Sequence, residues 1–317
     1  MAGSDDAPAR SKDGETMAIA APGAWALRGA VPPIPPETTV GWADTVWRHG
    51  TEPGAKLRWL GERLPTLRRD DALESLVSPY VTSWGARADV TAVLRSGARL
   101  HRLDGLHDGG LARLAKTYER YGWAWEAYRS FGVWHEGLGD WDAYWSRRPG
   151  RLRETVRRKG RGARAMLVDA EAAKRAVARV APSAWQGEEP HPGFVPAVIE
   201  RGAAEGWART YVLDAGIDRP AVQLWLVGGG RASLAKTWHD ADAAPRSPGT
   251  VLTARVIEAL AGEGIGTVDF GRGDDPYKAD WAAFRTQRWG LTARPAATPA
   301  GVALGARRRL KRVLRRG

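Results

Sequence analysis

The sequence predicts a mixed α/β fold, and three observations in its C-terminal half carry that prediction. Two apolar runs, 221–227 and 231–238, flank the triplet Gly228-Gly229-Gly230, which is a direct signal for a β-hairpin. Apolar residues at helical spacing then fill 250–262. A further apolar run, 266–270, follows that helix, as in a strand–helix–strand crossover. We therefore expect a mixed sheet with an antiparallel centre and one late crossover.

The other elements follow from periodicity and from helix start and stop signals, taken in chain order. Large apolar residues between 39 and 79 indicate short helices: Trp42, Trp47, Trp59, Leu60 and Leu64. From Ala88 helices and strands alternate, with a helix around 90–94, a strand at 99–103, a helix through 111–118 ended by Gly122, and a strand at 123–128. Asp140 is the predicted N-cap of a helix over 140–159 that Pro149 interrupts. The series continues with a strand at 165–168, helices at 170–180 and 194–205, and a strand at 209–213.

Composition narrows the class of protein. The chain has 317 residues, 43% of them hydrophobic, with 16 Trp, which is enough for one large domain or two ordinary ones. It has no Cys, which excludes disulfides, thiolate metal sites and cysteine nucleophiles. Its six His have no close pair at metal-ligand spacing, so we expect no metal. Residues 1–23 contain four acids and no continuous apolar run, which predicts a disordered leader and a cytoplasmic protein.

The positive charge is concentrated at the C-terminus. Of the net +12, seven charges belong to Lys and Arg within 303–317, so that 12 − 7 leaves +5 for the rest. Leu310, Val313 and Leu314 have helical spacing among those arginines. Basic amphipathic helices bind anionic membrane surfaces or nucleic acid. We expect either peripheral contact of 303–317 with the inner membrane surface or a disordered solubilising tail.

A second basic run, 151–164, lies in the interrupted helix. A run of this kind is either a solvated helix face or a surface that contacts phosphates or another polyanion. The residues alone leave both interpretations open.

The segment 267–281 is the strongest candidate for an active site. Apolar residues lead into it, and Gly271, Gly273 and Pro276 then end the strand among charged side chains. Loops at strand ends commonly hold functional residues because a rigid sheet positions them. The triplet Asp269-Phe270-Gly271 is not a kinase metal-binding signature, since the phosphate loop, strand lysine and His-Arg-Asp loop that it requires are missing.

The linker 243–250 places Ser247, Gly249 and Thr250 at the start of the helix over 250–262. The first N–H groups of a helix have no partner within it, and glycine lets an anion approach them. The alternative is ordinary capping, since Ser and Thr are frequent N-caps.

These segments together resemble a known family. The run Arg246-Ser247-Pro248-Gly249-Thr250-Val251 is similar to the Gln/Arg-x-x-Gly-x-Gly/Ala turn on which the GNAT superfamily of acyltransferases holds the pyrophosphate of coenzyme A, with Val251 in place of the last small residue. Lys236-Thr237-Trp238-His239, Ser247-Pro248-Gly249 and 269–274 resemble the BioF2-like acetyltransferase domain, a GNAT relative associated with cellulose and exopolysaccharide biosynthesis. The likeness spans about 75–290 and is strongest over 221–281.

The resemblance implies a tandem GNAT-like fold, with a degenerate half at 24–150, an acyltransferase domain at 151–300 and a basic tail at 301–317. It implies an N- or O-acetyltransferase that moves acetyl from acetyl-CoA to a small-molecule, sugar or cell-envelope acceptor. The residues that would bind the donor are Arg246, Ser247, Gly249, Thr250 and Val251. Those that would contact substrate are Lys236, Trp238, Arg272 and Trp281.

Acyl transfer from a thioester requires a base, a proton donor and stabilisation of developing negative charge. Asp274 or Asp275 is the predicted base, because adjacent carboxylates raise one another's pKa, and His239 is the alternative base. Tyr277 is the predicted proton donor for the leaving thiolate, and Lys278 the stabilising cation. The alternative is a purely structural role, in which Asp274-Asp275-Pro276 forms a turn and Tyr277 and Trp281 contribute only to packing.

Two other functions stay open. Fem-type peptidoglycan transferases share a tandem GNAT-like layout and use aminoacyl-tRNA, which would give the basic helix at 151–164 a role. A non-catalytic GNAT scaffold would instead bind an acidic partner through its basic surfaces.

Overall fold

The structure is a computed structural model that describes residues 35–60, 64–76, 90–183, 190–215 and 221–314. The predicted leader, 1–23, lies outside the described residues, as do the last three residues of the basic tail.

Strands and helices alternate along the described chain. The strands are β1 Lys56–Leu60, β2 Leu64–Arg69, β3 Ala72–Ser75, β4 Leu100–Leu106, β5 Trp123–Gly137, β6 Arg164–Val168, β7 Ala208–Asp214, β8 Val222–Gly228, β9 Arg231–Trp238, β10 Thr267–Arg272 and β11 Phe284–Pro295. The helices are α1 Val40–His49, α2 Val90–Arg95, α3 Asp108–Arg120, α4 Trp141–Ser146, α5 Gly150–Lys159, α6 Ala170–Val180, α7 Phe194–Glu205, α8 Pro248–Gly262, α9 Lys278–Trp281 and α10 Pro299–Leu314.

In the described part of the chain, all eleven strands form one mixed sheet, in the order β1-β2-β3-β4-β11-β5-β10-β9-β8-β7-β6. The order contains an internal repeat. An antiparallel meander β1-β2-β3, the helix α2, a parallel strand β4, the helix α3 and a long strand β5 form the first unit. The meander β7-β8-β9, the helix α8, the parallel strand β10, the helix α9 and the long strand β11 form the second.

The last strand of each unit lies in the other unit's part of the sheet. β11 pairs with β4 of the first unit, and β5 pairs with β10 of the second. The two exchanged strands also pair with each other along their length, from Phe284↔His135 to Pro295↔Trp123. The two units therefore share one sheet, which is continuous across the boundary predicted at residue 150.

Three hydrophobic clusters cover the sheet. Against the second unit, α8 buries Leu252, Val256, Ile257 and Leu260 in one of them. On the opposite face of that unit α1 and α7 form another, around Trp42 and Trp207, whose rings meet edge to face at 5.5 Å. The third lies under α2 and α3 in the first unit. Burial on both faces explains why β8 is buried along its whole length and, apart from Gln223, does not alternate between apolar and polar residues.

The hairpin prediction is confirmed. β8 and β9 are joined by Gly229 and Gly230, both of which have positive φ. Two left-handed residues match the twist of the flanking strands, and glycine adopts that conformation without strain. The crossover is confirmed as well, since β9 and β10 pair in parallel with α8 between them.

Two predictions from the sequence need correction. Residues 56–60, 64–69 and 72–75, expected to form short helices, form the strands of the meander β1-β2-β3, in which Leu60 pairs with Leu64 and Trp59 with Pro65. The long strand β11 was not predicted from its own residues. Its partners β4 and β5 are more than 140 residues away in sequence, so the pairing that stabilises it leaves no local signal.

Candidate active site

A cleft opens where β9 and β10 separate. Their parallel pairing extends only from Thr267↔Arg231 to Asp269↔Ser233, although β9 continues to Trp238 and β10 to Arg272. Beyond the last pair, a cavity of about 360 Å³ lies between the two strand ends and the start of α8. The active-site segment predicted from the sequence forms one wall of this cavity.

A β-bulge in β9 lies at this cleft. Lys236 pairs with Leu224 and Leu234 pairs with Trp225, so that Ala235 is an extra residue without a cross-strand counterpart. The bulged residue of such a pair is left out of the ladder, and Ala235 lines the cavity together with Leu234 and Lys236. Backbone N–H groups in this position are suited to bind a carbonyl oxygen.

The pairing of β10 is also irregular beside this cleft. Its register against β5 shifts between Asp269 and Arg272, where Gly271 has a φ of 72°. The Asp269 carboxylate accepts a hydrogen bond from the Gly271 N–H at 2.7 Å, and a Cβ on Gly271 would lie 3.2 Å from the Leu234 carbonyl oxygen. The glycine thus allows the two strand backbones to approach closely at the base of the cleft.

The N-terminus of α8 closes one side of the cavity. Ser247 is its N-cap in a left-handed conformation, with φ 51°, and its side chain makes no cap hydrogen bond. Pro248 has no N–H, and the Val251 N–H donates to the Ser247 carbonyl oxygen. The N–H groups of Gly249 and Thr250 therefore have no acceptor within the helix. Both residues line the cavity, which gives it two donors at the positive end of the helix dipole.

Gly249 lies where β9 and α8 come closest. A Cβ at this position would lie 3.3 Å from His239 Cδ2 and 3.4 Å from Thr237 Cγ2. A larger side chain would also cover the two donors at the helix start.

Buried polar groups hold the start of α8 against the sheet. The Gln223 amide nitrogen donates to Thr253 Oγ1 at 2.7 Å and to Thr237 Oγ1 at 3.2 Å, and its oxygen accepts from Trp225 Nε1. From α5, Lys159 Nζ donates to the Pro245 carbonyl oxygen at 2.6 Å and to Ser247 Oγ at 3.0 Å. The sequence interpretation missed Gln223, and it noted Lys159 only as part of a basic run.

The cavity brings together most of the residues that the sequence singled out. Its lining includes Lys236, His239, Gly249, Thr250, Arg272, Asp275, Tyr277, Lys278 and Trp281. Thr253 and Asp280 line it as well, and the sequence reasoning did not name them.

Lys278 fixes the loop that follows β10. It is 3% exposed, and its Nζ donates to the Arg272 carbonyl oxygen at 2.5 Å and pairs with Asp275 Oδ2 at 2.9 Å. A buried, paired ammonium keeps Asp275 oriented at the cavity wall.

Tyr277 lies next to this pair. Its side chain is 44% exposed overall, yet desolvation, with Asp275 adding a smaller effect, raises the pKa of the phenol to about 12. Tyr277 is therefore protonated throughout the physiological range and can act as a proton donor.

His239 presents an acceptor nitrogen to the start of α8. Its Nδ1 lies 3.1 Å from the carbonyl oxygen of Asp240, and a carbonyl can only accept, so Nδ1 carries the proton. Nε2 of the neutral ring is then free of a proton, and it lies on the side of the imidazole that faces Gly249. This geometry suits a general base.

Five of the predicted residues do not line this cavity, and one of them is Ser247, the N-cap of α8. Asp274 forms a bidentate ion pair with Arg285, at 2.5 and 2.7 Å, and this pairing lowers the pKa of Asp274. The expectation that its neighbouring carboxylate raises that pKa is wrong, because the guanidinium dominates. Trp238 is 3% exposed and packs in the cluster around Trp42 and Trp207, on the face of the sheet away from α8. Arg246 and Val251 line a separate cavity of about 240 Å³ on the other side of the α8 start.

Contacts from the preceding helices position α9. The Trp281 carbonyl oxygen accepts from Tyr144 Oη at 2.8 Å and from Arg148 Nη1 at 2.5 Å. Arg148 also pairs with the buried Glu136 at 3.4 Å. Arg151 pairs with Asp280 at 2.6 Å. Contacts from α4, α5 and β5 therefore hold the cavity wall in place. Arg151, the first residue of the basic run 151–164, thus has a structural role that needs no ligand.

Part of the chain matches a known protein family. Residues 150–279, which contain α5 to α8, β10 and most residues that line the cavity, match the family model described as acetyltransferase (GNAT) domain. This match indicates a GNAT-type domain in that segment. No curated protein sequence matches the chain.

Solved structures resemble the chain over most of its length. FemX has a TM-score of 0.60 at 10% identity, over 80% of this chain and 91% of that one. The C-terminal domain of a protein from Agrobacterium fabrum assigned as a lysylphosphatidylglycerol synthetase has a TM-score of 0.56 at 12% identity, over 84% and 91%. L-PGS from Bacillus licheniformis has 0.51 at 10% identity, over 89% and 97%. At these identities the likeness shows the fold alone. The predicted mixed α/β, tandem GNAT-like fold is confirmed. The described part of α2, the crossover helix of the first half, has six residues, and α8 has fifteen.

Among the described residues, no helix is long and apolar enough to span a membrane, and no group of three or more His, Asp or Glu is arranged to hold a metal ion.

Proposed function

We propose that this protein is an acyltransferase whose donor binds in the cleft between β9 and β10, and that the donor is acetyl-CoA. The observation that carries the proposal is the cleft itself. A bulged strand, a helix start with two unpartnered N–H groups, and a proton donor and acceptor line one cavity of about 360 Å³. A GNAT-type acyl transfer requires this combination.

The residues at the helix start fit a phosphorylated donor. The N–H groups of Gly249 and Thr250 would bind its pyrophosphate, as helix N-termini bind phosphate generally. Val251 does not obstruct this turn, because its side chain is 1% exposed and packs in the core. Arg246 lies in the neighbouring cavity with Lys159, where both would add positive charge near the phosphates.

Three groups would carry out the reaction: a base, a backbone N–H and a proton donor. His239 Nε2, or the Asp275 carboxylate, takes a proton from the acceptor amine or hydroxyl, and the acceptor atom forms a bond to the acyl carbon. The backbone N–H at the β9 bulge binds the carbonyl oxygen as negative charge develops on it. When the carbon–sulfur bond breaks, Tyr277 gives its phenolic proton to the sulfur, and it regains a proton from the base through solvent. The net reaction transfers the acyl group to the acceptor and leaves the donor as a protonated thiol.

The acceptor is proposed only by class. Asp275 and Asp280 on the cavity wall favour an acceptor with an amine or several hydroxyl groups. The narrower resemblance to BioF2-like acetyltransferases favours a sugar or cell-envelope acceptor.

Aminoacyl transfer from tRNA, as in Fem-type transferases, is the second candidate. The fold shared with FemX supports it, and so does α5, whose Arg153, Arg157 and Arg158 are exposed. Lys159 links the end of that helix to the α8 start, so a nucleic acid on α5 would lie next to the cavity. A non-catalytic scaffold that binds an acidic partner is the third candidate, and the same basic face would serve it.

Calorimetric titration separates the three. We expect acetyl-CoA to bind with a Kd in the micromolar range, and aminoacyl-tRNA to give no saturable heat that survives 0.3 M salt. Saturable, salt-resistant binding of the tRNA without binding of acetyl-CoA would refute the proposed donor in favour of the second candidate. No heat with either ligand would favour the scaffold.

A further inference from the structure

The C-terminal helix α10 has two dissimilar faces. Its inner face packs on β5 and β11. Leu304 is buried there, and the Arg308 guanidinium lies 3.6 Å from the centre of the Trp125 ring and pairs with Glu119 of α3 at 3.0 Å. A Cβ on Gly301 would overlap the Pro295 carbonyl oxygen, so the helix begins in close contact with the end of β11. These contacts fix which face of α10 points outward.

The outer face is an apolar stripe bordered by arginines. Val302, Ala306 and Leu310 are four residues apart, so they line up along one side of the helix. Val302 is 63% exposed and Leu310 is 61% exposed, so both present apolar surface to solvent on the same side of the helix. Arg307 and Arg309, both exposed, lie on either side of this stripe.

We propose that this face of α10 is a membrane-binding surface that lies flat on an anionic bilayer. An interfacial helix places apolar side chains among the acyl chains and lets flanking arginines reach lipid phosphates. The sequence around the stripe fits that requirement, since 303–317 contains seven Lys and Arg and no acid. The proposal does not depend on the proposed acyltransferase activity.

Two other occupants fit less well. Nucleic acid would be bound by the arginines alone and would leave Val302 and Leu310 in water. A second copy of this chain would bring two arginine-rich surfaces of the same sign together, which opposes association. An anionic lipid surface satisfies the apolar stripe and the charge at once.

Vesicle sedimentation with the full chain tests the proposal. We expect binding to vesicles of phosphatidylcholine with 30% phosphatidylglycerol, and binding about tenfold or more weaker to phosphatidylcholine alone. The double variant Val302→Ser/Leu310→Ser should bind the anionic vesicles about tenfold or more weakly than the unmodified protein. Since both side chains are exposed, its thermal unfolding should be unchanged.

The matched control is Leu167→Ser. Leu167 is 57% exposed on β6, the edge strand at the second unit's end of the sheet, and this variant should bind vesicles like the unmodified protein. Equal binding by Val302→Ser/Leu310→Ser would overturn the proposal, because it would assign binding to the arginines alone. So would failure to bind anionic vesicles, or binding to RNA with no binding to vesicles.

Discussion

Gly249→Val is expected to weaken acetyl-CoA binding by about 100-fold. The valine side chain would cover the N–H groups of Gly249 and Thr250, and its Cβ would already lie 3.3 Å from His239 Cδ2. Two hydrogen bonds to a charged phosphate contribute roughly 1.5 kcal/mol each, and their sum corresponds to about 100-fold in Kd. Calorimetric titration of the variant measures the effect.

The matched control is Gly262→Val at the other end of α8. A Cβ on Gly262 meets nothing within 4 Å, so this variant carries the same substitution on the same helix without touching the cavity. Its Kd for acetyl-CoA should equal that of the unmodified protein. A folded Gly249→Val protein with unchanged affinity would show that the donor does not use the helix start.

Tyr277→Phe is expected to lower kcat by about 100-fold with little change in KM. Removing a general acid costs about this much, and the aromatic ring that packs at the cavity wall is retained. The measurement is the rate of free thiol release from acetyl-CoA, with water as the acceptor until a better one is known. Because the pKa of Tyr277 is about 12, the phenol stays protonated below that pH, and the ratio of the two rates should be constant between pH 6 and 10.

Tyr121→Phe is the control for this substitution. Tyr121 is 56% exposed at the end of α3, so loss of its hydroxyl should leave kcat unchanged. A normal kcat for folded Tyr277→Phe would remove Tyr277 from the reaction and leave the sulfur to be protonated by solvent.

Much of this site was predictable because its signals are local. Glycines between two apolar runs specify the β8–β9 hairpin wherever they occur. A Ser-Pro-Gly segment before an amphipathic run specifies a helix start with open N–H groups. The segment at the end of β10 contains the glycines and the proline that end the strand, and it forms the cavity wall as expected.

The placement of Trp238 was not predictable, because it depends on the bulge in β9. Ala232 and Leu234 pack on the α8 side of the sheet, and unbroken alternation would put Trp238 there too. The extra residue Ala235 reverses the alternation, so Thr237 faces α8 and Trp238 faces the opposite cluster. A bulge of this kind is set by strand pairing and leaves no composition signal.

The partner of Asp274 was hidden for a related reason. Arg285 is eleven residues further along, on β11, and it reaches Asp274 only because β11 pairs with β5 beside β10. The exchange of β5 and β11 between the two units is a property of the whole sheet. The sequence therefore indicated the segment that lines the cavity but not which of its carboxylates faces the cavity.

We propose that the donor lies between the separated ends of β9 and β10 with its phosphates on the start of α8. A crystal structure of the complex with acetyl-CoA tests it most directly. The expected result is a phosphate oxygen about 3 Å from the N–H groups of Gly249 and Thr250, with the acyl carbonyl directed at the backbone of Ala235. Donor density outside this cleft, or phosphates bound only along α5, would contradict it.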